Sequence, residues 1–277
     1  SDTIRALIGG MEKLPSVPQT YWELTRALTD PDIGVPEIAR IVETDPAMSA
    51  KVLQVVNSAY FGLAQQMSSV TRAVSYLGTD LLKGLSLNAQ AFASMGNSKP
   101  VEGFSIESLQ QTSLLSARIG GAMFDDTRRR EDAFTACLVH DIGQIILALS
   151  VPERWAAAVH RAADEKRHVH EVEREMLGVT HGEVGAYLLG AWGLPFPIVE
   201  AVAYHHVPGS VSSGTFDILA AVHVADALAL ECHSGNGRET GRSLLDMEFL
   251  GRIGAIERLP QWRAIAEREA QNLQTRR

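Results

Sequence analysis

Apolar residues recur at spacings of three and four along almost the whole chain, and strand-like alternation of apolar and polar residues is scarce. This spacing matches the turn of an α-helix and keeps the apolar side chains on one face. The sequence therefore predicts an all-α protein. Its 277 residues, of which 45% are hydrophobic and 6% aromatic, suffice for two helical lobes with cores built mainly from aliphatic side chains.

A boundary between two lobes is predicted at residues 96–104, which read GNSKPVEGF. Gly, Asn, Ser and Pro are concentrated there, and these residues favour loops. We expect an N-terminal helical lobe over residues 1–98 and a second helical lobe, with a C-terminal helical extension, over residues 99–277. The predicted helices of the second lobe lie near residues 105–124, 131–149, 152–165, 168–177, 181–192, 195–206, 215–233 and 254–272.

Two short helices predicted within residues 34–57 raise the alternative of a DNA-binding helix-turn-helix. The pair Asp45-Pro46 joins a capping side chain to a residue suited to the first helical turn. A recognition helix needs polar and basic side chains on its exposed face. Here the second helix offers only Lys51, Gln54 and Asn57. We interpret the segment as a packed helical hairpin and keep DNA binding as the weaker alternative.

The charge pattern argues against a general nucleic-acid surface. The net charge is −8, whereas such a surface needs clustered positive charge. The run Arg128–Arg130 is flanked by acidic residues on both sides and is interpreted as a solvated turn. We therefore expect no nucleic acid among the partners.

No membrane segment or disulfide framework is predicted. The longest apolar runs, near residues 136–151 and 216–230, are interrupted by His and Asp, which a membrane span avoids. Cys137 and Cys232 form no CxxC pair, as is typical of a reducing compartment. No signal peptide is predicted at the N-terminus, so we expect a cytoplasmic protein. Because the chain starts Ser1-Asp2 without Met, we also expect further N-terminal domains.

Six histidines and aspartates lie within or beside apolar segments of the second half: His140, Asp141, His181, His205, His206 and Asp226. Imidazoles and carboxylates are the usual ligands of a catalytic divalent metal. Burying them is unfavourable unless they are paired or bind something. A hydrogen-bonded polar core without metal would also satisfy them. The remaining histidines and the four tryptophans are interpreted as surface or packing residues, namely His160, His168, His170, His223, His233, Trp22, Trp155, Trp192 and Trp262.

Ordered motifs occur in both lobes. The first lobe contains LPSVP at residues 14–18, TDPAM at 44–48, NSAYFG at 57–62 and AVSYLG at 73–78. The second contains LVHDIGQIIL and HGEVGAYLLGAWGLPFPIVEAVAYHH. Together they resemble the HDOD domain, the HD-related output domain, over roughly residues 10–210. The later segment AAVHVADAL resembles the closing Asp segment of the wider HD superfamily.

The resemblance implies a helical pocket in which the six residues hold one or two metals. Two positions depart from the pattern that it implies. The first ligand should be a His before a Ser, but this chain has Thr112 before Ser113. Relatives that cleave cyclic dinucleotides have a Lys at the position of Gln144, and their GYP-type motif is also missing here. We therefore expect a degenerate site that holds either no cofactor or one divalent metal (Fe, Mn, Zn, Ni or Co), and we assign no catalytic residue.

The resemblance implies a non-catalytic output module in bacterial signal transduction, forming the C-terminal part of a response regulator. Its expected partners are other signalling proteins and a fused N-terminal receiver domain, with no membrane, and a homodimer is left open. The alternative is a metal-dependent phosphohydrolase that acts on a nucleotide or a cyclic dinucleotide. In that case His140, Asp141 and Asp226 would hold the metal.

Overall fold

The structure is a computed structural model. It describes residue 4 and residues 19–30, 32–57, 67–79, 81–86, 104–212, 214–233 and 244–274. Every regular element within these residues is helical, so the all-α prediction is confirmed. The chain divides into two compact units, Pro15–Asn97 with Ala270–Arg277, and Ser1–Leu14 with Ser98–Glu269. The boundary predicted at residues 96–104 lies almost wholly outside the described residues.

The unit of residues 15–97 contains four helices and a further helical segment at residues 81–86. The helices are α1 (Gln19–Ala27), α2 (Val35–Glu43), α3 (Pro46–Val56) and α4 (Val70–Leu77). Their starts follow the sequence signals. Asp45 accepts a hydrogen bond from the Met48 backbone N–H at 3.0 Å and Ser69 accepts one from Arg72 at 3.3 Å, as helix-capping side chains do.

Two polar side chains of α3 and its C-cap that the structure describes argue against the helix-turn-helix alternative. Lys51 is only 5% exposed. Both ends of the Asn57 amide bond the backbone of Met67, with distances of 2.7 and 2.6 Å. Neither side chain is available to contact a base edge, so residues 34–57 form a packed hairpin, as predicted.

The larger unit is a bundle of helices on which all six candidate residues are carried. Its elements are α5 (Ile106–Gly121), α6 (Thr127–Val139), α7 (Ile142–Ser150), α8 (Pro152–Glu165), α9 (Val169–Leu177), α10 (His181–Ala191), α11 (Phe196–Tyr204), α12 (Ile218–His233), α13 (Met247–Arg252) and α14 (Leu259–Gln274). The long helix α12 is buried along most of its length and packs against α5, α6 and α11. It therefore forms the centre of this core.

The helix predicted over residues 131–149 is wrong in two respects. It begins earlier, at Thr127, because Asp126 caps it by accepting from the Arg129 N–H at 2.8 Å. The arginine run interpreted as a solvated turn is thus the first helical turn. The helix also breaks at His140 and Asp141, separating α6 from α7. Apolar periodicity continues across the break, so the pattern alone does not reveal it.

The C-terminal helix predicted over residues 254–272 also needs correction. Gly254 has a φ of 64°, a conformation that glycine adopts readily and that ends helices. Before it lies the unpredicted helix α13, capped by Asp246. After it come a short 3₁₀ turn, Ile256–Arg258, and then α14.

One stretch of the described residues, Thr127–Ser150, is long and apolar enough to cross a membrane. However, 72% of its apolar window is buried inside the protein. It is also the stretch that breaks at His140 and Asp141 to form α6 and α7. These features are typical of core helices, in agreement with the interpretation of this run from the sequence.

Candidate metal centre

The six predicted residues lie at helix ends and at the middle of one central helix. His140 ends α6 and Asp141 precedes α7. His181 opens α10, where Thr180 and Glu183 form a capping box that fixes the start of the helix. His205 and His206 follow α11, and Asp226 lies within α12. In a continuous helix, the side chains of His140 and Asp141 would point in different directions. The break between α6 and α7 turns both of them inward.

Asp141 is the centre of the group. Its Oδ1 lies 3.2 Å from His181 Nε2 and 3.7 Å from His205 Nε2, and its Oδ2 lies 3.4 Å from His140 Nε2. His140 Nε2 is also 3.2 Å from Asp226 Oδ1. These contacts bring three histidines to one carboxylate, and His140 links Asp226 to the same group.

The contacts define a single cluster with two candidate ligand sets. Asp141, His181, His205 and His206 form one, and His140, His205 and Asp226 form the other; within each set the ligand atoms lie within 4.8 Å of one another. All six candidate residues from the sequence are thus brought together. We call these six residues the His–Asp cluster.

Burial and neighbouring charge together set the protonation of the histidines. Burial lowers the pKa of His140, but the carboxylates of Asp141 and Asp226 outweigh it and raise the pKa to about 9. For His181, burial is likewise outweighed by Glu173 and Asp141, which raise its pKa well above the ordinary value. Burial and the charges of His140 and His181 hold the pKa of His205 well below it.

Two buried atoms of the cluster make no hydrogen bond, Asp141 Oδ1 and His205 Nε2. The ring of His205 donates Nδ1–H to the Val202 carbonyl at 2.8 Å. Since a low pKa keeps this imidazole neutral, its Nε2 carries a lone pair. A buried carboxylate that only histidines contact and an imidazole lone pair without a donor are the ligands that a divalent cation requires. The residues present therefore fit a metal.

Glycines allow the helices that carry the cluster to approach closely. A Cβ atom on Gly143 would lie 1.9 Å from the His181 carbonyl oxygen, and one on Gly182 would lie 2.8 Å from the Val202 carbonyl oxygen. Both distances are too short for a side chain. The glycine of HDIG and the first glycine of HGEVG thus let α7, α10 and α11 meet where the ligands converge.

The two departures from the HD pattern lie on helices of this core. Thr112 is 8% exposed on α5, one turn before Ser116, and α5 packs against α6 and α12. A hydroxyl at this position supplies no imidazole lone pair. Gln144 lies in the first turn of α7 and is partly buried. Its amide carries no charge to pair with a phosphate.

The sequence interpretation missed the residues that surround the cluster. Glu173 is fully buried and bonds His181 and Trp155. His170 stacks on His206 with ring centroids 4.5 Å apart. His223, interpreted as surface or ordinary core, donates to the His205 carbonyl and accepts from the Asp246 N–H. A signal for Glu173 was present, because it occupies an apolar-face position of α9 beside the buried Val172 and Leu177.

A family model supports the reading of these motifs. The HDOD domain model matches residues 14–208, which is well over half of the chain. The chain belongs to the HDOD family. This match includes all of the His–Asp cluster except Asp226, which lies beyond its end.

Solved structures of similar fold include an HDOD domain protein, a protein named as a phosphohydrolase and a protein named as a signal transduction protein. An HDOD domain protein of Geobacter sulfurreducens is 24% identical, with a TM-score of 0.66 and 97% of each chain covered. A suggested phosphohydrolase of Shewanella amazonensis SB2B is 23% identical, with a TM-score of 0.62, covering 99% of this chain and 98% of its own. A suggested signal transduction protein of Marinobacter aquaeolei VT8 is 19% identical, with a TM-score of 0.71, covering 99% and 64%. These likenesses establish the HDOD fold.

Among curated proteins, one from Treponema pallidum (strain Nichols) is 25% identical over 202 residues. The match covers 71% of this chain but only 38% of the Treponema protein. The chain therefore spans well under half the length of this relative.

Proposed function

We propose that this HDOD chain is a non-catalytic signalling module whose His–Asp cluster is a buried cation site. The burial of the cluster carries this proposal. His140 and His181 are fully buried, His205 is 1% exposed and Asp226 is 4% exposed, while the side chain of Asp141 is 12% exposed and His206 is partly buried. A hydrolytic centre must admit both a phosphate group and an attacking water to the metal. A cluster this enclosed suits an ion better than a cyclic dinucleotide.

The two substitutions support the same proposal. With Thr112 in place of the first His, the set of strong metal ligands is reduced. With Gln144 in place of a Lys, no cationic side chain is supplied at that position for the substrate phosphate. Both changes weaken hydrolysis more than they weaken the binding of one cation.

The residues proposed to hold the cation are Asp141, His181, His205 and His206, with His140 and Asp226 beside them. A divalent metal bound there would neutralise the carboxylates and satisfy the two unpaired atoms. His140 is held by its Nδ1–H bond to the Cys137 carbonyl at 2.6 Å, which keeps Nε2 directed at Asp226 and Asp141. The chain's own hydrogen bonds thus orient the ligands, as second-shell contacts do in metal proteins.

The proposed signalling role is conformational and depends on other domains or proteins. A fused receiver domain or a bound partner would shift the population of conformations of the HDOD module, and a further protein would read that shift. The Marinobacter and Treponema proteins extend well beyond the part that this chain matches. That supports a module that works alongside other domains; the cytoplasmic, bacterial location remains part of the proposal.

The second candidate, a metal-dependent phosphohydrolase, is favoured by the unpaired Asp141 Oδ1 and His205 Nε2. Metal content of protein purified without chelator separates it from a metal-free polar core. A content far below one equivalent of Fe, Mn, Zn, Ni and Co combined would remove both the phosphohydrolase and the cation site. It would leave the signalling role standing.

Affinity capture of the full-length protein from its source bacterium tests the signalling role. The proposal predicts that a specific signalling partner is recovered and that its recovery does not depend on any phosphohydrolase activity. The Lys51→Glu variant places an acidic group in the buried site of that lysine. It serves as a control in which the packing of the unit of residues 15–97 is disturbed. Recovery of no partner by the wild-type protein, together with measurable phosphodiester turnover, would overturn the proposal.

A further inference from the structure

A fully buried carboxylate lies directly behind the His–Asp cluster. Glu173, on α9, is 0% exposed. Its Oε2 accepts two hydrogen bonds from His181, one from the backbone N–H at 2.8 Å and one from the ring Nδ1–H at 2.7 Å. Its Oε1 accepts the indole N–H of Trp155 at 3.0 Å. Three N–H groups therefore satisfy one carboxylate in the core.

The bonding partners keep Glu173 ionised. Burial alone would raise the pKa of its carboxyl group, but the charge of His181 and the three donated hydrogen bonds lower it. The backbone N–H of His181 also belongs to the first turn of α10, the positive end of the helix dipole. A buried charge is unfavourable unless it is paired in this manner. The charge of His181 and the three N–H donors supply that pairing.

The role of Glu173 follows from the different partners of the two ring nitrogens of His181. Glu173 occupies Nδ1, so Nε2 is directed at the other side, where Asp141 Oδ1 lies at 3.2 Å and His206 Nε2 at 3.0 Å. A carboxylate on the far nitrogen fixes the orientation of an imidazole ligand and increases its basicity. Glu173 does this without contacting the cation site itself.

The hairpin of α8 and α9 holds Glu173 in place. Ala158, Ala162 and Val172 form a small buried core between the two helices. On the outer surface, Arg161 and Arg167 pair with Glu175, at 3.0 and 2.6 Å. The buried core gives the carboxylate a defined position relative to His181, and the exposed ion pairs of Glu175 add little to it.

We propose that Glu173 is the positioning residue of the His–Asp cluster, holding His181 through Nδ1 so that Nε2 faces the cation site. The inference rests on the cation site of the proposed function and adds a residue that is not one of its ligands. Trp155 completes the arrangement by fixing the second carboxylate oxygen.

Glu173→Gln tests the proposal, because it keeps the size of the side chain but removes its charge. Glu175→Gln, on the exposed side of the same helix, is the matched control. Mn²⁺ affinity is measured by titration of the cation-free protein, and the His181 Nδ1–H signal is followed by ¹⁵N-resolved NMR. We expect Glu173→Gln to weaken Mn²⁺ binding by roughly 10- to 100-fold and to shift or lose the downfield, slowly exchanging Nδ1–H signal. Glu175→Gln should change neither.

Trp155→Phe provides a graded second variant. It leaves both bonds from Glu173 to His181 and removes the one to the indole, so its Mn²⁺ affinity should fall between that of wild type and that of Glu173→Gln. A folded Glu173→Gln protein with wild-type Mn²⁺ affinity and an unchanged Nδ1–H signal would overturn the proposal. If wild type itself binds no Mn²⁺, the cation site fails, and the Nδ1–H signal of the cation-free proteins still decides whether Glu173 holds His181.

Discussion

At the scale of single residues, the cluster is organised by hydrogen bonds to backbone carbonyls and to one buried carboxylate. His140, His205 and His223 each donate Nδ1–H to a carbonyl, at 2.6, 2.8 and 2.7 Å. A carbonyl can only accept, so the proton is fixed on Nδ1 and the remaining chemistry is confined to Nε2. In His181 the Nδ1–H donates to Glu173 instead of a carbonyl, so its Nε2 also faces the core. Each ring thus presents one defined atom to the core.

Cation binding at the cluster should strengthen as pH rises. The pKa of His140 is about 9 and that of His181 is raised, so both rings hold a proton on Nε2 at neutral pH in the cation-free protein. A cation must displace protons from these nitrogens. We expect Mn²⁺ affinity to increase, with proton release, as pH is raised from about 6.5 to about 9. Calorimetric titrations in two buffers of different ionisation enthalpy measure both quantities, and a pH-independent affinity would contradict the ligand assignment.

His223 should contribute to folding stability through its two buried hydrogen bonds. Replacing it with Leu leaves the His205 carbonyl and the Asp246 N–H without their partner, and this should lower the free energy of unfolding by about 2 kcal/mol. His160→Leu, at an exposed position of α8, is the control and should change it by far less. Chemical denaturation of the two variants measures the difference, and equal stabilities would show that these bonds contribute nothing.

The same residue should make stability depend on pH. Burial lowers the pKa of His223 in the folded protein below its ordinary value of 6.5. The unfolded chain therefore binds the proton more readily, and the contribution of His223, complete above pH 6.5, is lost as the pH falls below that value. Unfolding free energies measured on the acid side of pH 6.5 should fall less steeply for His223→Leu than for wild type. An identical slope would place the acid sensitivity in other groups.

At the scale of helices, the site depends on places where two backbones nearly touch. The glycine of the HDIG motif permits α7 to approach the start of α10, and without that approach Asp141 could not reach His181. The break between α6 and α7 serves the same end by turning His140 and Asp141 inward together. The local geometry of these helix ends determines the cluster more than the apolar faces do.

Gly143→Ala should therefore be strongly destabilising. The added methyl group would meet the His181 carbonyl oxygen at 1.9 Å, so backbone must move, at a cost of about 3 kcal/mol. Gly190→Ala on α10 is the matched control, because its methyl group would meet only Val199 at 3.7 Å. A helical Gly→Ala change of that kind should be neutral or stabilising by about 0.5–1 kcal/mol. Thermal denaturation compares the two, and a stable Gly143→Ala protein would contradict the close approach.

The helices and the cluster differ in how far the sequence predicts them. Periodicity and capping signals predict most helices within a few residues, and the six candidate ligands follow from the motif resemblance. The break after Val139 was not predictable, because apolar periodicity continues across it and no Gly or Pro stands at His140 or Asp141. Glu173 was missed because an isolated acidic residue in a helix is usually exposed; only its apolar neighbours Val172 and Leu177 indicated otherwise.

At the scale of the whole molecule, an HDOD chain retains the enclosed histidine and aspartate core of an HD-type fold. In the proposed function, Thr112 and Gln144 stand where the HD resemblance implies a His and a Lys, while Glu173 and the backbone carbonyls orient the remaining candidate ligands. We propose that a core organised in this way holds an ion and stabilises one conformation of a signalling module.

Phosphodiester turnover by the cation-loaded protein tests this account most directly. Wild type and Asp141→Ala, each confirmed as folded by circular dichroism, are loaded with Mn²⁺ or Fe²⁺ and given a cyclic dinucleotide or bis(4-nitrophenyl) phosphate. We expect metal binding by wild type and no turnover above that of Asp141→Ala, because most of the cluster is buried and Gln144 supplies no charge to pair with a phosphate. Turnover that is present in wild type and abolished by Asp141→Ala would contradict the account and establish a hydrolase.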